Sequence, residues 1–383
     1  MTKNRVFITC SRGIDAYIEQ EIASRGFPVL TRTTAGVETE GSMSDAMELN
    51  LHLRTGLRVL FLVEEFTARD PEGLYREINA MPWEKVIPVD GYFSITATVD
   101  TPTIDNSRFA SQKCKDAIAD RFMAKIGRRP DSGPERDRTV IHLHWQGEEC
   151  KVYIDTSGEP LSKRAYRKIP WKAPLQETLA AALVMAAGWR GADNLVNPLC
   201  GSGTLAIEAA LIGLHRPAGI LRDNYGFMHL VDYREAEWRK LRERARTEGK
   251  KTLQGRVIAT DISPDAVETA MKNARTAGVE HLIEFRVCDF ADTEIPEGSG
   301  VVIMNPEYGE RMGTSADLEQ VYARIGDFLK QKCRGYRGYV FTGNPEMAKK
   351  IGLRTSRKIP FFNGPIECRL LEYEMYHGSR KKN

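Results

Sequence analysis

The chain has little of what usually announces a metal site, a disulfide framework or a membrane span. Its seven cysteines (10, 114, 150, 200, 288, 333 and 368) are odd in number and form no C-x-x-C pair. Neither a disulfide scaffold nor a zinc cluster is expected from them, and most read as small buried thiols. The seven histidines are equally dispersed, with no H-E-x-x-H and no Ser-His-Asp arrangement; no metal is expected. No apolar run reaches the roughly eighteen residues that a membrane helix needs. The N-terminus, Met1-Thr2-Lys3-Asn4-Arg5-Val6-Phe7, lacks the apolar core of a signal peptide. A cytoplasmic setting with no membrane partner is the expectation. An excess of one charge is missing too: 55 basic against 52 acidic residues give a net charge of +3. That excludes a global polycation, so any contact with nucleic acid must be local. There are no internal repeats and no low-complexity segment. What remains, 383 residues of which 42% are hydrophobic and 28% charged, suits two or three ordinary globular domains.

Periodicity divides the chain into four parts. Residues 1–65 read β-α-β-α-β, with Ile14, Ile18 and Ile22 on one helical stripe and Met43, Met47 and Leu51 on another. Residues 66–156 form a second α+β unit. Its central feature is an amphipathic helix from Ser107 to Ile126 that presents Ala110, Cys114, Ala117, Ile118 and Phe122 on one face. Residues 157–175 contain three prolines and the basic residues Lys163, Arg164, Arg167, Lys168 and Lys172 with Tyr166 and Trp171 between them. They read as an interdomain linker suited to phosphate contact and base stacking. From residue 176 to 383 helices and strands alternate, the signature of a mostly parallel α/β sheet. Ser263 and Pro264 are the expected N-cap and first residue of one of its helices. The charged stretch 215–252 reads as a surface insertion, and 358–376 as a hairpin turning at Phe362-Asn363-Gly364.

Two motifs carry chemistry. Asn197-Pro198-Leu199-Cys200-Gly201-Ser202-Gly203-Thr204 is a glycine-rich turn between an apolar strand and an apolar helix. Such a turn lets backbone approach a nucleoside cofactor, and the helix N-terminus behind it favours an anion. For S-adenosylmethionine (SAM) that anion is the methionyl carboxylate; for NAD it is a pyrophosphate, with a ribose acid about twenty residues on. Asp223 has that spacing but follows a loop, so NAD fits poorly. Asp261 instead closes the next strand and is placed to hold the ribose hydroxyls of SAM. Asp289 closes the strand after and can accept from the adenine amino group, with Ile262 and Phe290 as the faces of an adenine sandwich. The second motif, Asn305-Pro306-Glu307-Tyr308, ends another strand. An exocyclic amine on guanine or adenine is a weak nucleophile because its lone pair is delocalised. Acceptors aimed at its two hydrogens, Asn305 Oδ1 and the Pro306 carbonyl, favour pyramidalisation and point the lone pair at a methyl donor, while Tyr308 stacks on the base. Positioning and electrostatics then supply most of the rate.

On these residues the C-terminal half resembles the class I, Rossmann-like methyltransferases that modify guanine N2 in RNA. The matching runs are 197–210, 305–311, 174–181 and 362–368. The N-terminal half, through residues 105–122, is similar to the ferredoxin-like plus THUMP module of the same enzymes. The resemblance implies a seven-stranded, mostly parallel methyltransferase sheet preceded by an RNA-capturing module, and it is closest to bacterial 23S rRNA guanine-N2 methyltransferases. It implies Asn305, Pro306 and Tyr308 as catalytic residues. It implies Asn197, Cys200, Gly201, Gly203, Thr204, Asp261, Ile262, Asp289, Phe290 and Asn305 as the lining of the SAM site. Glu307 departs from the family tetrad, in which a second proline is usual. A tRNA target, adenine N6, or an idle RNA-binding factor that keeps a SAM pocket remain as alternatives.

Overall fold

The computed structural model describes residues 3–104, 106–169, 174–308 and 315–375. Trp171 and Lys172 of the basic segment, Asp105 and residues 309–311 lie outside the described residues. The chain forms two compact units, one built from residues 1–10, 18–163 and 222–244, the other from 11–17, 164–221 and 245–383.

The first unit carries strands β1 (Asn4–Thr9), β2 (Thr31–Thr33), β3 (Gly36–Gly41), β4 (Arg58–Thr67), β5 (Tyr92–Asp100), β6 (Asp131–Ser132), β7 (Thr139–Gln146) and β8 (Glu149–Asp155), with helices α1 (Asp15–Ser24), α2 (Met43–His52), α3 (Pro71–Ala80) and α4 (Ser107–Ile126). One sheet runs through it in the order β2-β3-β1-β4-β8-β7-β5-β6. The two sequence-predicted α+β modules therefore share a sheet, joined where β4 pairs antiparallel with β8. Helix α4 matches its predicted bounds because both ends are specified. Asn106 caps it by accepting from the Arg108 N–H, and Gly127 ends it at φ 76°, a left-handed turn that suits glycine. Its inner face, Ala110 to Phe122, packs with Trp83, Phe93, Leu143 and Trp145. The short strands β2 and β6 are exposed throughout and have no apolar alternation to reveal them. The stretch 215–252 is largely exposed only in its second half, where the expected helix forms over Glu235–Glu248; the first half is mostly buried. Tyr225, Phe227 and Trp238 are buried and packed together, and the Arg222 guanidinium donates to the carbonyls of Ser157, Glu159 and Pro160.

The second unit carries α5 (Glu177–Ala186), β9 (Asn194–Pro198), α6 (Thr204–Gly213), β10 (Val257–Asp261), α8 (Pro264–Ala277), β11 (Ile283–Val287), β12 (Gly300–Met304), α9 (Ser315–Lys332), β13 (Tyr336–Thr342), α10 (Pro345–Lys350), β14 (Arg357–Asn363) and β15 (Ile366–Glu374); α7 (Glu235–Glu248) precedes β10 in the chain. The sheet order is β11-β10-β9-β12-β13-β15-β14. Five strands are parallel, and β15 and β14 close the edge antiparallel. This is the mixed sheet of the class I methyltransferase fold. The order reverses between β9 and β12, and in open α/β sheets ligands bind beyond the strand ends at such a point. The strands are short and apolar on both faces, with β12 buried throughout, as helix-covered parallel strands must be. Among the described residues no helix is long and apolar enough to cross a membrane.

Candidate active site

The glycine turn leaves β9 at the switch point. Gly201 (φ 53°), Gly203 (φ 80°) and Leu199 (φ 63°) all adopt left-handed backbone. At Gly203 a side chain is also sterically barred, since a Cβ would lie 2.8 Å from the Cβ of Ala270 on α8. Gly203 is the N-cap of α6 and offers no side-chain acceptor, so the positive end of this buried helix is left for a ligand. Thr204 is its first residue and is buried. Cys200 is a buried thiol, and burial, with Asp261 nearby, pushes its pKa up.

Asp261 ends β10 as expected and ties the turn down. Its Oδ2 accepts from the Gly201 N–H at 2.9 Å and its Oδ1 from the Ser263 N–H at 3.0 Å. Ser263 caps α8 and Pro264 follows it, as predicted. Ile262, beside the acid, is 65% exposed, an unusual state for isoleucine and one that suits an aromatic ligand face. Asn197 is fully buried. Its Nδ2 donates to the Ile303 carbonyl at 2.9 Å, bracing β9 against β12, and its Oδ1 has no partner among the described residues.

Asp289 follows β11. Its Oδ1 accepts from the Ala291 N–H at 2.8 Å and from Arg324 Nη2 at 2.7 Å. Burial opposes its charge, but these donors prevail and hold the carboxyl below its ordinary range. Phe290, the expected second adenine face, is largely buried. Its ring is buried edge-on against Phe328, and the Arg324 guanidinium lies 4.9 Å from its centroid. The cause is local: Asp289 caps a single 3-10 turn over Phe290–Asp292, which rolls the ring into the core.

At the end of β12, Asn305 Oδ1 is buried and has no hydrogen-bond partner among the described residues. A buried, unmatched carbonyl is costly, on the order of 1–3 kcal/mol, unless something else satisfies it. Pro306 is buried and Glu307 exposed. The Glu307 carbonyl accepts from the Tyr322 hydroxyl at 3.2 Å, so the departure from the usual tetrad leaves the local backbone held. Tyr308 is half-buried. Its hydroxyl accepts from Asn363 Nδ2 at 2.8 Å, its ring stands edge-on to Phe341, and burial raises its pKa. Gly343 leaves the ring its room, since a Cβ there would lie 3.1 Å from Tyr308 Cδ2. The sequence marks Asn363 as a hairpin turn and no more; beyond the N-G dipeptide, nothing local signals that it anchors Tyr308.

The basic segment spans the boundary between the two units, at 163/164, and much of its described part is packed rather than solvated. Arg164 is 1% exposed and its Nε lies 3.5 Å from an oxygen of the fully buried Glu208, whose Oε1 also accepts from the Tyr166 hydroxyl at 2.9 Å. Arg167 Nη2 donates to Thr204 Oγ1 at 3.0 Å. The Lys168 N–H donates to Asn273 Oδ1, and Asn273 Nδ2 to the Ser202 carbonyl. Of the described cations in this segment, Lys163 and Lys168 are the ones that face solvent. The segment is thus built under the cofactor turn. Asp223, the NAD-spaced acid, is exposed in the 222–244 piece of the first unit and ends no strand.

The residues present fit SAM: an uncapped helix end, an acid at the end of the neighbouring strand and an exposed apolar side chain beside it. Among the described residues no group of three or more His, Cys, Asp or Glu side chains is placed to hold a metal.

Comparison with known proteins agrees with this geometry. Residues 164–372 match the RMKL-like methyltransferase domain, 5–60 the RlmL ferredoxin-like domain and 68–155 the THUMP domain. The chain is 37% identical, over 97% of its length, to the "Ribosomal RNA large subunit methyltransferase K/L" of Syntrophotalea carbinolica, of which it covers 53%. It spans about half the length of the curated relatives of that name. It is 34% identical to the "Putative RNA methyltransferase slr0064" of a Synechocystis strain, with 98% of each chain covered. A solved structure titled as a putative methyltransferase complexed with SAH superposes with a TM-score of 0.88 at 27% identity, covering 99% of this chain and 100% of that one.

Proposed function

The chain belongs to the THUMP-containing, RMKL-like methyltransferase family, and from that premise we propose that it methylates the exocyclic N2 of a guanosine in RNA, with 23S rRNA the preferred target over tRNA. It is a SAM-dependent methyltransferase of this family. The observation that carries the substrate reading is Asn305 Oδ1, a buried acceptor without a partner among the described residues, at the strand end beside the cofactor turn. An amine hydrogen satisfies that acceptor. The Pro306 carbonyl takes the second hydrogen, and the Tyr308 ring, fixed by Asn363 and Phe341, stacks on the base. These interactions strengthen as the nitrogen pyramidalises, so they favour the transition state over the ground state.

SAM supplies an electrophilic methyl group when bound. Gly201, Gly203 and Thr204 hold its amino-acid end, with Asn197 and Cys200 shaping the turn behind them. Asp261 accepts from the ribose hydroxyls while keeping the Gly201 N–H. Ile262 covers one adenine face. Oδ2 of Asp289 is the oxygen left for the adenine amino group, since Oδ1 already serves Ala291 and Arg324. RNA is gripped on α4, where Arg108, Lys125, Arg128 and Arg129 are exposed beside Phe109 and Met123. Basic and aromatic groups in that combination suit phosphate contact with base stacking. A cytoplasmic setting belongs to the same reading and accords with seven free cysteines.

Mass spectrometry of rRNA and tRNA nucleosides from cells with and without the gene tests the proposal. Loss of N2-methylguanosine from 23S rRNA is expected. Loss confined to tRNA, or loss of N6-methyladenosine, would replace the substrate; no change at all would favour an idle RNA-binding factor.

A further inference from the structure

Arg167 has no part in the reaction as derived above, yet it stands at the start of the helix on which the cofactor turn opens. Its Nη2 donates to Oγ1 of Thr204, the first residue of α6, at 3.0 Å, and to the Leu175 carbonyl at 2.5 Å. Its Nε is buried with no hydrogen-bond partner among the described residues. A guanidinium at the positive end of a helix is electrostatically misplaced, because that end favours anions. The helix end adds no acceptor of its own, its N-cap being glycine. The carboxylate that pairs with the guanidinium is Glu177, whose Oε1 lies 3.4 Å from Nε. Burial disfavours the charge of Glu177 and raises its pKa, with Arg167 as the main counterweight. Two positive features therefore converge on one place, and the one acid beside them, Glu177, is paired with the guanidinium.

The guanidinium is fixed there from both sides. Next along the chain, the Lys168 N–H donates to Asn273 Oδ1 at 3.2 Å, and Asn273 Nδ2 donates to the carbonyl of Ser202 at 3.3 Å, inside the glycine turn. Immediately before it, Tyr166 is buried and anchored on Glu208. An arginine meant for solvent or for an RNA backbone needs no such anchoring.

We propose that Arg167 is the cationic half of the pocket for the methionyl carboxylate of SAM, the uncapped N-terminus of α6 being the other half; this rests on the SAM reading given above. A carboxylate between them turns the repulsion of guanidinium and helix end into two attractions. Arg167 then selects the amino-acid end of the cofactor, while Asp261 and Ile262 hold the nucleoside end.

Calorimetric titration of the full chain with SAM and with decarboxylated SAM, which lacks only the carboxylate, tests the assignment. The wild type is expected to prefer SAM. Arg167→Met should weaken SAM by about tenfold or more, the scale of one charge-assisted hydrogen bond. It should leave decarboxylated SAM unchanged or tighter, since a cation near its ammonium is gone. Equal weakening of both ligands would overturn the assignment and make Arg167 a strut of the turn. If Arg167→Met does not fold by circular dichroism, Arg167→Lys decides. A point charge cannot serve Thr204 and a carboxylate as a planar fork does, so the SAM preference should fall, and an unchanged preference overturns the proposal. A wild type that binds neither ligand would overturn the cofactor reading itself, a distinct result.

Discussion

Two basic stretches of this chain look alike as sequence and end in opposite places. Residues 163–168 hold Lys163, Arg164, Arg167 and Lys168 with no acid among them. Helix α4 and the turn after it hold Arg108, Lys113, Lys115, Arg121, Lys125, Arg128 and Arg129. In the first, Arg164 is buried on Glu208 and Arg167 is bonded to Thr204. In the second, Lys113 and Arg121 pair with Glu72 and Glu84, while Arg108, Lys125, Arg128 and Arg129 stay exposed. The destination of a charge is set by its counter-charge. The acids that draw the first stretch inward, Glu177 and Glu208, sit on α5 and α6, apart from it in sequence. For α4 the apolar stripe decides which face is inward; Lys113 and Arg121 find acids beside it, and the remaining exposed cations take the outer face.

The largest expected effect comes from breaking the inward stretch. Arg164→Ala leaves Glu208 buried without its cation, which should cost about 3–5 kcal/mol of stability in urea unfolding. A loss typical of a surface pair, under about 1 kcal/mol, would mean the segment is no more structural than α4's exposed face. Next is Asp261→Ala, in the same unit. It removes the proposed ribose acceptor and the anchor of the Gly201 N–H. At roughly 1.5–3 kcal/mol per charge-assisted bond, SAM affinity should drop at least tenfold, with circular dichroism unchanged. Unchanged affinity would take Asp261 out of the site.

The outward stretch should behave in the reverse way. Replacing Arg108, Lys125, Arg128 and Arg129 together by alanine should leave stability and SAM affinity alone. On single-stranded RNA it should flatten the log–log salt dependence of binding by about 0.7 for each phosphate those side chains neutralise. An unchanged slope in filter binding would move the RNA path elsewhere. The smallest effect separates the units by pH. In the first unit burial, with His144, Arg58 and Arg136 nearby, lowers the pKa of His142 from 6.5 to about 4, and burial lowers that of His144 as well. Such histidines fold neutral, so the unfolded chain binds more protons between these values. Stability is fully present above 6.5 and is lost as pH falls toward about 4. Protease sensitivity of the first unit should rise by pH 5 before that of the second, measured by limited proteolysis; the opposite order would contradict it.

Much of the site is legible in the sequence because strand ends, glycine turns and prolines mark themselves. The bounds of α4, the Ser263 cap, the 194–198 strand and the positions of Asp261, Asp289 and the tetrad follow from local patterns. What is not legible depends on partners distant in sequence or on a single turn of backbone. Phe290 adjoins its acid in sequence, but one 3-10 turn sends its ring inward. Tyr225, Phe227 and Trp238 lie in a charged stretch that hides them, though three large aromatics close together are a usable signal. The continuous sheet through the first unit rests on the β4–β8 pairing, between strands more than eighty residues apart, which no local periodicity encodes.

The account stands on one atom more than any other, Oδ1 of Asn305. Its direct test is single-turnover methyl transfer to target RNA by Asn305→Ala, with SAM affinity measured in the same preparation. The expected result is a rate lower by orders of magnitude with SAM affinity little changed, because the proposed role of Asn305 Oδ1 is on the target amine. Methyl transfer at near the wild-type rate would contradict it.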